Sequence, residues 1–455
     1  MVSEKFRRQL RQEVEQWLAE ELIDASMYEQ LSNRYQFNEL ETAARNRFIT
    51  ILLGLGSILL GLGLITFVAA NWQAWSRGVK VVLLLSVFIG VSSAGFFLWR
   101  RSIDRWQRRL GQGLLLLGGL ALGANIALMS QLFHHSGPVY QLYLVWGLGV
   151  LAMAYSLRLE LLGLLAVLLI GLGYGQGQPD VVAIGEVAWL RLMVQHMPIL
   201  SGLMFIPLAY WCRSRWLFRI GAIAIIASLE INVLRFNLSN APAWSAAIAC
   251  ALPPALLWGY RDALWRQHLP STQSFDPIAR SLAIAFLGLL FYVLSFLRLW
   301  DTSSVPAAED ASLLPWPFLV DILILGSLTV WEWLRLLGWR QVDRTTTVIG
   351  MMIVITALVP YWHLSISRLP AIAVLIFNVF LLLLAIGLVR EGLAQGQRRL
   401  FWGGMVLLTL QIFSRMLEYN TGLLFKSIVL LLCGFGIITA GLWFERHVRT
   451  LSTRN

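Results

Sequence analysis

Apolar residues run in long blocks along this chain, and polar residues are confined to short breaks between them. The pattern is plainest from Phe48 to Leu98, where FITILLGLGSILLGLGLITFVAA and VKVVLLLSVFIGVSSAGFFL flank the polar turn NWQAWSRG. As a helix the first run is roughly 34 Å long, enough to cross a hydrocarbon core of about 30 Å. The same alternation predicts apolar helices near 111–133, 139–156, 159–175, 197–212, 216–234, 244–260, 278–300, 316–339, 346–363, 369–389, 400–416 and 421–444. With the first two, these make about fourteen spans. The expected fold is all-α: a polytopic transmembrane helical bundle over 48–444, a small N-terminal helical head over 1–47 and a basic tail over 445–455. The narrowest break is Arg158–Glu160. If 139–175 were one bent helix, every later segment would change side.

Residues 1–47 follow a different pattern. SEKFRRQLRQEVEQWLAEELID places Phe6, Leu10, Val14, Trp17, Leu18 and Ile23 near one helical face. Asp24 or Ser26 then opens a second helix, MYEQLSNRYQF, and Ser26 to Glu29 has capping-box spacing. Two such helices can pack together as a cap, lie on the membrane surface or offer a face to a cytoplasmic protein partner. So charged a beginning predicts no cleavable signal peptide, which leaves the first long apolar helix as the targeting signal.

Composition agrees with a membrane chain. Hydrophobic residues make up 58% of the sequence and charged residues 13%, about half the charge of an ordinary soluble domain. The net charge is +11. The arginines sit in short breaks between apolar runs, as in Arg100, Arg101, Arg105, Arg108 and Arg109 against the single acid Asp104. That pattern marks a cytoplasmic face rather than nucleic-acid binding, and it places both termini in the cytoplasm. Of the 36 lysines and arginines, only Arg77, Lys80, Arg191, Arg235, Arg298, Arg368, Arg415 and Lys426 fall toward the outer face. Cys212, Cys250 and Cys433 are far apart and lack metal-site spacing, so they read as small core residues.

Glycine is frequent. Gly54 and Gly61, Gly56 and Gly63, and the GxxxG pair Gly119–Gly123 each share a helix face, as close helix packing requires. The run GLGYGQGQP at 171–179 is expected to unwind a helix end into an outer loop. It lacks the spacing of a phosphate-binding loop.

Ionisable and amide groups inside apolar segments are costly, so each needs an account. Those here gather toward the outer half: Asn71, Asn125, Gln131, His134, His135, Glu230, Asn232, Asp321, His363, Gln411, Arg415, Glu418 and Lys426. In one reading the long side chains snorkel to headgroups, while Arg415, Glu418 and Lys426 form an ion-pair network across a helical hairpin. In the other, Asn71, Gln131, His134, Glu230, Asp321, Arg415, Glu418 and Lys426 line an outward-facing pocket for a small anionic or zwitterionic ligand. Arg415 and Lys426 would hold negative charge, Glu418 would orient Arg415, and Gln131 and His134 would supply hydrogen bonds. Glu332 and Arg335, spaced i, i+3, read as an interfacial pair at the cytoplasmic end. His134–His135 has no third ligand at metal spacing, and neither metal nor cofactor is expected. No HExxH, GxSxG or P-loop is present, and no nucleophile is paired with a base, so an enzyme is the least supported class.

The head LAEELIDASMYEQLSNRYQF, the hairpin GLGLITFVAANWQAWSRGVK and the segment ALMSQLFHHSGPVYQLYLVWGLG resemble bacterial membrane proteins of the domain of unknown function 2157 family. The matching positions are Asn71, Trp72, Lys80, Gln131, Phe133, His134 and Trp146, within roughly the first third of the chain. The last stretch, from Arg398 onward, is similar to the closing hairpin of related predicted membrane proteins, with Arg415, Glu418 and Lys426 at corresponding places. The resemblance implies a multi-pass protein of the bacterial inner membrane. It brings no established activity. The leading expectation is a transporter-like or ligand-sensing protein with an outer polar pocket; the alternative is a non-transporting scaffold whose head recruits a partner. Transporters often carry internal repeats and broken helices near mid-membrane, and the two halves of this sequence show no evident similarity.

Overall fold

The computed structural model describes residues 4–20, 22–35, 74–101, 104–133, 137–177, 188–237, 243–262, 274–300, 316–338, 343–418 and 422–452. Among these the chain is all-α, with no strand. The helices are α1 (Glu4–Ala19), α2 (Ala25–Tyr35), α3 (Arg77–Arg100), α4 (Arg105–Leu132), α5 (Val139–Leu157), α6 (Glu160–Gly177), α7 (Ala188–Gln195), α8 (Met197–Cys212), α9 (Arg215–Asn237), α10 (Ala243–Gly259), α11 (Asp276–Leu294), α12 (Trp316–Gly338), α13 (Arg344–Ser365), α14 (Pro370–Gln395), α15 (Arg398–Glu418) and α16 (Leu423–Ser452). The expected span at 48–70, with its glycine pairs, lies outside the described residues. Every other expected segment falls on a helix. Eleven of these helices are long and apolar enough to cross a membrane, or twelve if the bent pair α7–α8 counts as one span. In hydrocarbon no water serves the backbone, so a spanning segment must satisfy its own N–H and C=O groups, and the helix does so.

The chain divides into two compact units, residues 1–86 and 87–455. In the first, α1 and α2 form a hairpin around Val14, which is fully buried, with Leu10, Ile23, Tyr28, Leu31 and Tyr35 packed against it. Trp17, expected on the inner face, is exposed. The start of α2 is set by Asp24. Its carboxylate accepts the Met27 N–H at 3.0 Å and the Ser26 hydroxyl at 2.9 Å. Ser26 therefore lies inside the helix, and the expected Ser26–Glu29 capping box gives way to an Asp24 cap.

In the second unit, sequential helices pair: α5 with α6, α8 with α9, and α14 with α15, while α10 packs against α11, α12 and α13. The break at Arg158 is real. Arg158 takes φ 52°, ψ 40°, ending α5 in a left-handed turn, and α6 folds back along it. The glycine run at 171–177 does not unwind but stays helical to Gly177. Its glycines let α5 come close: a Cβ on Gly173 would lie 2.8 Å from Leu144, and one on Gly177 would lie 2.9 Å from Tyr140. Removing the side chain here shortens the interhelical distance, which outweighs glycine's weak helix propensity. Gly123 likewise admits the Trp146 indole, whose N–H donates to the Gly119 carbonyl at 2.7 Å, while Gly119 makes room for Leu162.

Two large apolar cores and one smaller one result. One large core joins Leu144, Leu162, Phe205, Leu208, Phe218 and Phe275. The other joins Leu287, Phe291, Ile353, Phe377 and Leu381. The outward faces are apolar too, Leu431 being 74% exposed, so that lipid is their natural solvent. The expected segment 278–300 is continuous helix only to Leu294; after Ser295 and Phe296 a 3-10 turn spans Leu297–Leu299. The expected tail beyond 444 continues as helix to Ser452.

Two measurements check this packing. Gly404 faces the Ala385 carbonyl so closely that an added Cβ would lie 2.6 Å from it, whereas a Cβ on neighbouring Gly403 meets nothing within 4 Å. Gly404→Ala should cost about 1–3 kcal/mol in thermal unfolding, and Gly403→Ala should leave the melting temperature level or higher. In the head, the hydrogen bonds from the Met27 N–H and the Ser26 hydroxyl hold the Asp24 carboxyl below the ordinary aspartate value. A depressed folded-state pKa stabilises above the unfolded value and is lost as pH falls through the folded one. Protection of α2 amides from hydrogen exchange, corrected for intrinsic rates, should therefore fall on acidification below the ordinary Asp range. In Asp24→Ala it should be lower at neutral pH and show no such acid step.

Candidate functional site

A helix cannot run straight through 195–198. Pro198, at the start of α8, has no N–H to give to the preceding turn. The chain bends by 87° between α7 and α8. His196 is the joint. Its N–H donates to the Leu192 carbonyl at 2.9 Å, closing α7, and its own carbonyl accepts the Leu200 N–H at 3.0 Å, opening α8.

Polar side chains from other helices converge on this joint. The Gln195 carbonyl accepts Asn232 Nδ2 of α9 at 3.2 Å. The Tyr174 hydroxyl of α6 shares its proton between Asn232 Oδ1 at 2.7 Å and the Ser228 carbonyl at 2.9 Å. From α12, Asp321 places Oδ1 2.7 Å from His196 Nδ1. The Asp321 side chain is 0% exposed and that of His196 27%, so the acid is sealed behind the imidazole. Asp321 Oδ2 is buried without a hydrogen-bond partner. Beneath the pair, Leu325 packs with Leu229 and Leu252, and Ile199 and Ile248 complete an apolar floor.

A second cluster lies where α11 breaks, at the same end of the bundle. Arg415 donates from Nη1 to the Ser295 carbonyl at 2.6 Å and from Nη2 to Ser295 Oγ at 3.3 Å, with its guanidinium 4.3 Å from the Phe296 ring centroid. Glu418 pairs with Arg415 and accepts the Leu297 N–H at 2.8 Å. Gln411 donates to the Asn378 carbonyl at 2.9 Å, and Asn378 in turn lies 3.3 Å from the Ser295 carbonyl. A cavity of about 620 Å³ opens beside Glu418, Phe296 and Arg298. Arg415 thus satisfies the carbonyl end of α11, and Glu418 satisfies the N–H that starts the next turn.

The opposite end carries a third buried cluster. Tyr210 donates to Asp262, whose carboxylate also accepts the Phe275 N–H at 2.9 Å, and the Tyr210 and Tyr260 hydroxyls lie 2.7 Å apart. Arg158, Arg213, Arg215 and Arg219 belong to this end: Arg158 stacks 4.4 Å from the Trp211 ring centroid, and the other three start or lead into α9.

The expected site residues are therefore distributed. Arg415 and Glu418 come together, as their i, i+3 spacing allows. Asp321 meets His196 instead. Glu230 lies on α9 within electrostatic reach of Cys250, with Oε1 buried and lacking a hydrogen-bond partner. Gln131 is exposed near the end of α4, and Lys426 makes no ion pair among the described residues, so it does not join the Arg415–Glu418 pair. Asn71 and His134 lie outside the described residues. Glu332, expected at the interface, is buried, with both carboxylate oxygens lacking hydrogen-bond partners. His196, Tyr174 and Ser295 were not anticipated; the only hint for the first was a histidine two residues before a proline at the edge of an apolar run. No group of three or more His, Cys, Asp or Glu suited to a metal occurs among the described residues.

Residues 15–163 match the DUF2157 family, described as a predicted membrane protein. The match takes in Gln131 and the Gly119–Trp146 packing but ends before α7, so the His196–Asp321 and Arg415–Glu418 clusters lie outside it. Nothing among curated proteins or solved structures matches the chain.

Arg415→Met leaves Glu418 half-buried without its cation and the Ser295 carbonyl without its donor. This should cost about 3 kcal/mol in thermal unfolding of the detergent-purified protein. Removing both charges, Arg415→Met with Glu418→Leu, should recover part of that loss.

Proposed function

We propose that this chain is a transporter-like or ligand-sensing protein of the bacterial inner membrane, with its polar site at the α7–α8 break. The observation that carries the reading is the convergence at one broken helix of Tyr174, Asn232, His196 and the fully buried Asp321, drawn from α6, α9, the α7–α8 joint and α12. Discontinuous helices with polar groups gathered at the break are how transporters build a site inside a bilayer. The buried charge is a carboxylate, which favours a zwitterionic ligand over a purely anionic one. Arg415 and Glu418 serve the backbone at the α11 break, and Gln131, Glu230 and Lys426 are not among the groups that converge here. The crowding of Arg158, Arg213, Arg215 and Arg219 at the other end supports an orientation with that end in the cytoplasm, both termini with it, and the break toward the outside.

Labelling tests the reading. His196→Cys, in a background with Cys212, Cys250 and Cys433 replaced by Ser, should react with a membrane-impermeant maleimide on intact cells. Reaction only after permeabilisation, or in neither condition, overturns an outward-facing site.

A further inference from the structure

Most buried polar side chains at the helix breaks are occupied by backbone groups. Arg415 serves the Ser295 carbonyl, Glu418 the Leu297 N–H, Asp262 the Phe275 N–H, and Asn232 the Gln195 carbonyl. Asp321 is different. One oxygen faces a titratable side chain at the α7–α8 joint, and the other faces no hydrogen-bond partner. A full negative charge in that setting lacks the donors that would hold it. His196 is part exposed, so its ring can exchange a proton with the surroundings of the break and pass one to the buried acid.

We propose that His196 and Asp321 form a proton-binding site, loaded through the exposed edge of the imidazole. In the transfer, the Nδ1–H bond of imidazolium breaks and an O–H bond forms on the Asp321 carboxylate. The ion pair becomes a neutral imidazole beside a neutral acid, and no electrons change hands. His196 then regains a proton through its exposed edge. The groups facing Asp321 leave this exchange undisturbed. Of the helices packed on α12, α8 carries only Tyr210 and Cys212, at its far end, and α10 only Cys250. Glu230 lies on α9 near Cys250, Arg191 on α7 is exposed, and His196 is the one titratable side chain that acts on Asp321 among the described residues.

The site lies at the joint of the broken helix. A change of charge on His196 occurs in the residue whose N–H ends α7 and whose carbonyl begins α8, next to the Gln195 carbonyl that Asn232 holds. The apolar floor of Leu229, Leu252 and Leu325 separates this proton from the arginine-rich end. In a transporter the proton would be the coupling ion, and in a sensor it would be the signal. Only this last step rests on the proposed function; proton binding itself does not.

Infrared difference spectroscopy of the full-length protein in lipid, titrated with pH, is the test. Wild type should show a carboxylic-acid C=O band that disappears in Asp321→Asn. In His196→Gln the band should persist to higher pH, by about one unit or more, because the cation that favours the carboxylate is gone. A band unchanged in Asp321→Asn, or a titration unmoved in His196→Gln, overturns the proposal. If Asp321→Asn does not insert, Asp321→Glu should shift the band, and an unshifted band there is equally fatal. Maleimide labelling reports access to the break, so an inaccessible break with an intact band separates failure of the functional reading from failure of this one.

Discussion

The constraint on which this structure depends is that a chain in hydrocarbon must satisfy its own backbone hydrogen bonds. Within a helix this is automatic. At an interruption it is not, and at several of them the chain brings a polar side chain to the exposed carbonyl or N–H. The α11 break has Arg415 and Glu418, the Asp262 turn has its own carboxylate, and His363 accepts the Leu369 N–H at 3.2 Å between α13 and α14. Much of the polarity inside this bundle is thus the companion of its breaks.

That relation changes how intramembrane charge is to be weighed. A buried ion is a functional candidate by default because it is expensive, but a guanidinium donating to a helix-terminal carbonyl already has a structural reason to be there. Arg415 has such a reason. Asp321 does not: its neighbour is an imidazole, and its second oxygen has no hydrogen-bond partner. Separating the two cases leaves a smaller and more defined candidate than the eight residues that the sequence suggests.

The helices were legible because each apolar run is long and bounded by polar residues, and even the two-residue gap at Arg158 marked a true reversal. The glycine run of α6 was misread because glycine is a breaker in water and a packing device between membrane helices; which role it takes depends on Leu144 and Tyr140, residues in another element. The costly groups Asp321, Arg415 and Glu418 were visible in the sequence for the same reason that charge in an apolar run always is. Their partners were not. Ser295 contributes a backbone carbonyl, which every residue has, and His196 falls outside the apolar window, at a joint between helices where the Pro198 bend sets it against Asp321 of α12. Pairing within one helix, as for Arg415 and Glu418, can be read from spacing, but pairing across helices requires the fold.

The turns at Arg158 and Arg213 both place an arginine in left-handed backbone, at φ 52°. Glycine would take that conformation with less strain, by about 1 kcal/mol. A glycine there would also be mute about sidedness, whereas a permanent cation resists being drawn across a bilayer. These two hairpin tips therefore combine two properties at one position: the residue that reverses the chain also carries a charge that a bilayer does not readily pass.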